Sequence, residues 1–163
     1  MRYARVAGFM FLFVIAAYLA AMFVVGRFQV SGNFAETARR IAASEALYRV
    51  GLSLNLVASI CTVLLAMGLY VVLKPIDANL ALLALLFRLV EAAISAAQGI
   101  VGFVMLRLYI GTATSTAFDA AQLSALASLR SAASAAEYNI SAVFFGMGSI
   151  LFFHLFSRSS YLP

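Results

Sequence analysis

Arg88 and Glu91 stand near the middle of an apolar run, "LALLFRLVEAAISAAQGIV", that extends from residue 83 to 101. A charge at the centre of a bilayer costs roughly 2.5–3.5 kcal/mol on insertion scales, so such residues turn towards a bundle interior or a water-filled cavity. Three positions apart, the two share a helix face and can neutralise each other. Helical steps along that face reach Ser95, Gln98 and Gly102. An earlier run offers Asn55, Ser59 and Thr62 at steps of four and three, and a later one offers Asn139, Gly146 and Ser149. Arg88, Glu91, Asn55, Ser95 and Gln98 form the candidate intramembrane binding cluster. Three roles suit the charged pair: fixing helix register, moving protons at Glu91, or holding an anionic head group on Arg88 through charge-assisted hydrogen bonds.

No catalytic or metal-binding residues can be assigned from motifs. The chain has no GxSxG nucleophile elbow, Gly-rich phosphate loop or HExxH zinc spacing. Its one histidine, His154, falls near the end of an apolar run, where an interfacial position fits better than a ligand role. Its one cysteine, Cys61, lies inside another run and can make neither an internal disulfide nor a CxxC site. The cofactor is unknown, because one terminal histidine cannot argue for haem or any other group.

The elements that position these residues must lie in lipid. Hydrophobic residues make up 65% of the 163-residue chain and charged ones 10%, against a soluble average of about 45–50% and 25%. The 11 basic and 6 acidic residues mostly flank the apolar blocks rather than forming a basic face, which argues against nucleic acid as a partner. A span needs about 20 apolar residues, and backbone groups in lipid must bond within their own segment. The spans predicted are 6–25, 50–73, 80–106 and 138–156. The first follows Arg2 and Arg5 as a signal peptide would. It is longer than the roughly 7–15 apolar residues of such a segment, so it reads as an uncleaved span.

The expected fold is all-α, a polytopic transmembrane helical bundle in one domain, with short interfacial helices in the first and third connections. In the first connection, Asn33 and Glu36 have capping-box spacing and Phe34, Ala38 and Ile41 fall on one side, which would leave Arg39 and Arg40 near lipid head groups. In the third, Leu123, Leu126 and Leu129 recur at intervals of three in an Ala/Ser/Thr-rich stretch, 111–137, whose serine content makes disorder the rival. Between the second and third spans, Lys74 and Pro75 end one helix and Asp77 or Asn79 can cap the next, giving a tight hairpin. Counting basic residues leaves Arg2, Arg5, Lys74 and Arg158 on one side and six arginines on the other. That count favours termini outside, whereas the closeness of Arg2 and Arg5 to the first span favours termini inside.

At "LYRVGLSLNL", "LYVVLKPIDANLALLALLFRLVEAAI" and "FFGMGSILFFHLFSRSSYLP" the chain resembles a bacterial integral-membrane family, the domain of unknown function 4386. The run from Leu69 to Ile94 carries the resemblance best. It implies a polytopic helical protein, placed in the bacterial cytoplasmic (inner) membrane, with Tyr48, Arg49, Tyr70, Lys74, Pro75, Arg88 and Glu91 at recurring motif positions. It implies no activity. Relatives often carry an acid where this chain has Asn55, which removes a charge partner for Arg88. They also typically continue into further spans, so the resemblance implies a short member or part of a longer protein, with a bundle face that a partner could fill. The function expected first is a non-enzymatic accessory or scaffolding subunit that packs, within membrane lipids, against itself as a homo-oligomer or against a larger membrane complex. The alternative is a lipid or small-molecule binding or transport protein built on the Arg–Glu pocket. A membrane-embedded enzyme using Glu91 and His154 ranks third.

Overall fold

The computed structural model describes residues 2–30, 32–114 and 119–159 and contains five helices: α1 (Arg2–Gly26), α2 (Phe34–Ala43), α3 (Glu45–Leu73), α4 (Ala78–Thr114) and α5 (Ala120–Ser157). The side chains of residues 2–7, 112–114 and 120 are outside the description, as are residues 160–163 of the closing motif. Four of the helices are long and apolar enough to cross a membrane. The protein is an all-α polytopic bundle.

Its outer surface is apolar. Phe9, Phe23, Ile60, Val104 and Phe153 are each more than three-fifths exposed, as suits side chains that meet lipid. Buried polar side chains point inward instead, among them Ser59, Thr62, Arg88 and Glu91.

α3 and α4 form the central hairpin. The α3 chain end closes with the Lys74 N–H donating to the Tyr70 carbonyl at 2.8 Å. Asp77 then starts α4, its Oδ1 accepting from the N–H groups of Asn79 and Leu80 at 3.1 and 3.0 Å. Asp77 is thus the cap, and Asn79 lies within the helix. α1 lies against α3, where Gly51 permits a close approach: a Cβ there would lie 2.8 Å from Val25 Cγ2 and 2.9 Å from Val24 Cγ1. α5 packs on α4, with Phe152 and Leu155 joining Leu73, Ala81 and Ala84 in a buried cluster near the Lys74 end.

No Cα of α1 comes within 8 Å of a described Cα of α4 or α5. The four spans therefore form an open arc, α1–α3–α4–α5. A groove runs between α1 and α5, floored by α3 and α4.

α2 closes the opposite end. Gly32, at φ +73°, makes the turn into it, and the Asn33 side chain accepts the Glu36 N–H at 2.9 Å. Phe34, Ala38 and Ile41 are buried, as their spacing requires, but they dock on the protein rather than dipping into lipid. Phe34 stacks at a tilt on Tyr109, with ring centroids 5.0 Å apart. Tyr109 meets Tyr48 edge-on, and Tyr48 does the same with Phe28. Arg39 and Arg40 face outward, hydrogen-bonded to Glu36 at 2.8 Å each.

The third connection departs from the expectation of a separate interfacial helix. Residues 123–129 are helical, but they belong to the first turns of α5, which runs unbroken into the span. The 38 residues of α5 and the 37 of α4 give lengths of roughly 55 Å, so both helices outreach the roughly 30 Å hydrocarbon core. Alanine, the strongest helix former, fills the segment. A capping box starts it, with the Gln122 N–H donating to Asp119 Oδ1 at 2.7 Å and the Asp119 N–H to Gln122 Oε1 at 3.0 Å.

Candidate functional site

Arg88 and Glu91 form an ion pair, Nη1 to Oε2 at 2.6 Å, with side chains 9% and 10% exposed. The N–H is not aimed at the oxygen, so the contact is electrostatic and does not count as an aligned hydrogen bond for either atom. Arg88 also spreads over the Phe145 ring, its Cζ 4.8 Å from the centroid, and such cation–π contacts strengthen when desolvated. The pair is in contact with α5 through a glycine: a Cβ on Gly148 would lie 3.0 and 3.1 Å from Arg88 Cδ and Cγ. Gly146, on the face expected to turn inward, has open space above it.

The groove contains two cavities, and the ion pair separates them. Towards the Lys74 end lies an apolar one of about 540 Å³, walled by Phe11 of α1, Leu65 and Leu69 of α3, and Phe145, Phe152 and Phe153 of α5. Among the described residues Arg88 is its one charged lining group, with Ser149 beside it. Towards α2 lies a cavity of about 520 Å³ lined by Glu91, Asn55, Ser95, Gln98 and Gly102 on the floor and by Tyr18 and Tyr138 on the flanks. Arg130, Tyr109 and Gln29 line it as well, and they also line a smaller recess of about 270 Å³ beneath α2.

Of the five candidate residues, four come together and one does not. Glu91, Asn55, Ser95 and Gln98 share the polar cavity, whereas Arg88 faces the apolar one. The three-residue spacing explains both facts: it puts the charges within reach of each other while turning them by about 60° around the axis.

The rest of the α3 stripe satisfies itself. Ser59 Oγ donates to the Asn55 carbonyl at 3.0 Å and Thr62 Oγ1 to the Ala58 carbonyl at 3.0 Å, the usual local bonding of hydroxyls in a helix. Tyr18 of α1 reaches Ser59 Oγ at 3.3 Å. Since Ser59 spends its proton on Asn55, Tyr18 is the donor. Of the polar residues expected on the inner face of the last span, Ser149 lines the groove, whereas Asn139 is exposed and Ser141 lines the groove in its place.

Tyr18, Tyr138 and Arg130 were not among the sequence candidates. Tyr18 had one signal, a lone hydroxyl in an otherwise apolar first span. Arg130 had none, because the segment before residue 138 reads as a connection; Tyr138 is the first residue of the expected last span. His154 is exposed in the last turn of α5 and lines none of these cavities, so the Glu91–His154 pairing has no geometry behind it. Among the described residues no group of His, Cys, Asp and Glu is arranged to hold a metal ion.

No curated protein and no solved structure matches the chain. One family model does, over residues 6–163, and the family has no assigned activity. Matched along nearly its whole length, the chain belongs to the family described as Domain of unknown function (DUF4386).

Proposed function

We propose that the protein binds a membrane-derived amphiphile in the groove between α1 and α5, in the cytoplasmic membrane of a bacterium. One observation carries this reading. Arg88 is more than nine-tenths buried, yet it lines an apolar cavity between two helices whose described Cα atoms stay more than 8 Å apart. A cavity of this size lies within the roughly 300–1,000 Å³ typical of ligand sites, which are mostly apolar with a few placed polar groups. Access along the membrane plane suits a ligand already dissolved in lipid.

The accessory-subunit reading draws on the same geometry, since the open flank between α1 and α5 could also receive an apolar helix of a second copy or of another protein. Native mass spectrometry of the protein released from its own membrane separates the two. A stoichiometric small molecule of lipid-like mass, lost when Ser149→Trp fills the groove, is the expected result. A stoichiometric protein companion with no such molecule would favour the subunit reading and leave Arg88 and Glu91 as a register device.

A further inference from the structure

The ion pair lies between two chambers of opposite character, and that placement specifies more than a generic amphiphile. We propose that the ligand is a single-chain carboxylate, a fatty acid or close chemical equivalent, and that it binds together with a proton: the carboxylate on Arg88 from the apolar side, the proton on Glu91 from the polar side. This rests on the groove-binding reading and adds the ligand class and its coupling.

The apolar chamber argues for the chain and the head. Among the described residues its walls are mostly phenylalanine and leucine, and its polar side chains are one guanidinium and one serine hydroxyl. That set can serve a carboxylate, for which the planar fork of arginine is well matched. Among the described lining residues it offers no further polar side chain for a phospholipid head. Arg88 is ten residues beyond the start of α4, a rise of roughly 15 Å, which leaves room for an extended chain between the charge and the Lys74 end of the bundle.

Charge balance argues for the proton. Arg88 and Glu91 together are neutral in a site of low dielectric, where an uncompensated charge is costly. A carboxylate arriving at Arg88 would leave one negative charge in excess. A proton from water, added to a Glu91 carboxylate oxygen, restores neutrality and frees Arg88 for the ligand; no other bond forms or breaks.

The polar chamber supplies the route. It extends from Glu91 towards the α2 end, where it shares Arg130 with the recess there. The charged and titratable groups around Glu91 in this chamber are Tyr18 from α1, Tyr48 from α3, Tyr109 from α4, and Tyr138 and Arg130 from α5, besides Arg88 itself. Among the described lining residues none of these is a second carboxylate or a histidine, so Glu91 is the one carboxylate of the chamber to which a proton can be added.

The test is calorimetric titration of oleate into the full chain in phosphatidylcholine nanodiscs. It is done in two buffers of different protonation enthalpy, with empty nanodiscs subtracted. The expected result is saturable binding with stoichiometric proton uptake. Glu91→Gln should bind oleate without that uptake, and Arg88→Gln should bind it about tenfold more weakly or worse, the loss of a charge-assisted contact. Oleate methyl ester on the unaltered protein gives a check free of folding effects: it should bind more weakly and take up no proton.

Oleate binding with no buffer dependence would overturn the coupling while leaving the groove reading intact. Saturable binding of the methyl ester or of a two-chain lipid, but not of oleate, would overturn the carboxylate. Failure of every amphiphile to bind would overturn the groove reading with it.

Discussion

Gly148 of α5 faces the side chain of Arg88 so closely that a Cβ built on it would lie 3.0 Å from Cδ, 3.1 Å from Cγ and 3.3 Å from the Ala84 carbonyl oxygen. The contact fixes the depth of α5 against α4 at the level of the ion pair. It also holds the guanidinium over Phe145. A larger residue must move either the arginine or the helix. Gly148→Leu is expected to cost about 1–3 kcal/mol, the usual range for overpacking, read as a lowered Tm in detergent. Gly146→Leu, with open space above it, should leave Tm close to that of the parent; equal losses at both positions would show that the Arg88 contact is not what matters.

The ion pair itself should behave asymmetrically. Removing one partner strands a buried charge, so Arg88→Met or Glu91→Gln alone should cost about 3–5 kcal/mol, whereas the double replacement should be near neutral or stabilising. A double-mutant cycle on Tm checks this. Additive losses would mean the two charges are solvated independently.

Much of this arrangement was legible in the sequence, and what was not has identifiable causes. The apolar runs located three spans closely and the capping pattern at Asn33 located α2, because both signals are local. The pairing of Arg88 with Glu91 follows from a spacing of three within one helix. The division of the site between two cavities does not, since it depends on α1 and α5 standing apart. The helix around Leu123, Leu126 and Leu129 was legible from their spacing, but its continuity with the last span was not, because residues 120–137 are mostly alanine and serine and read as a connection. Arg130 was missed with it.

α2 is predicted to be held by its apolar side, with its charges contributing less. Ile41 is fully buried among the aromatic rings at the bundle end. Ile41→Ala should cost about 2–5 kcal/mol at that contact and release α2 while the spans persist. Hydrogen exchange should then rise across residues 34–43 and stay unchanged in α3 and α4. Faster exchange spread evenly over all helices would contradict local docking.

Glu36 provides a pH marker for the same helix. Hydrogen bonds from Arg39 and then Arg40 hold its carboxyl at about 2, below the ordinary 4.5. With the folded value depressed, whatever the interaction contributes is complete above about 4.5 and fades as pH falls through about 2. Carboxyl-carbon NMR of Glu36 should therefore show a midpoint near 2, returning towards 4.5 when Arg39 and Arg40 are replaced by Gln. A midpoint already near 4.5 in the parent protein would mean the two arginines are not engaged in solution.

The most direct test of the groove as a ligand site is photo-crosslinking in native membranes with a fatty acid carrying a diazirine on its chain, followed by mapping of the labelled residues. The account predicts adducts that cluster on Leu65, Leu69 and Phe152, are displaced by excess oleate and are lost when Ser149→Trp fills the groove. Labelling spread over the lipid-facing residues Phe9, Phe23, Ile60 and Val104, indifferent to oleate and to Ser149→Trp, would contradict it.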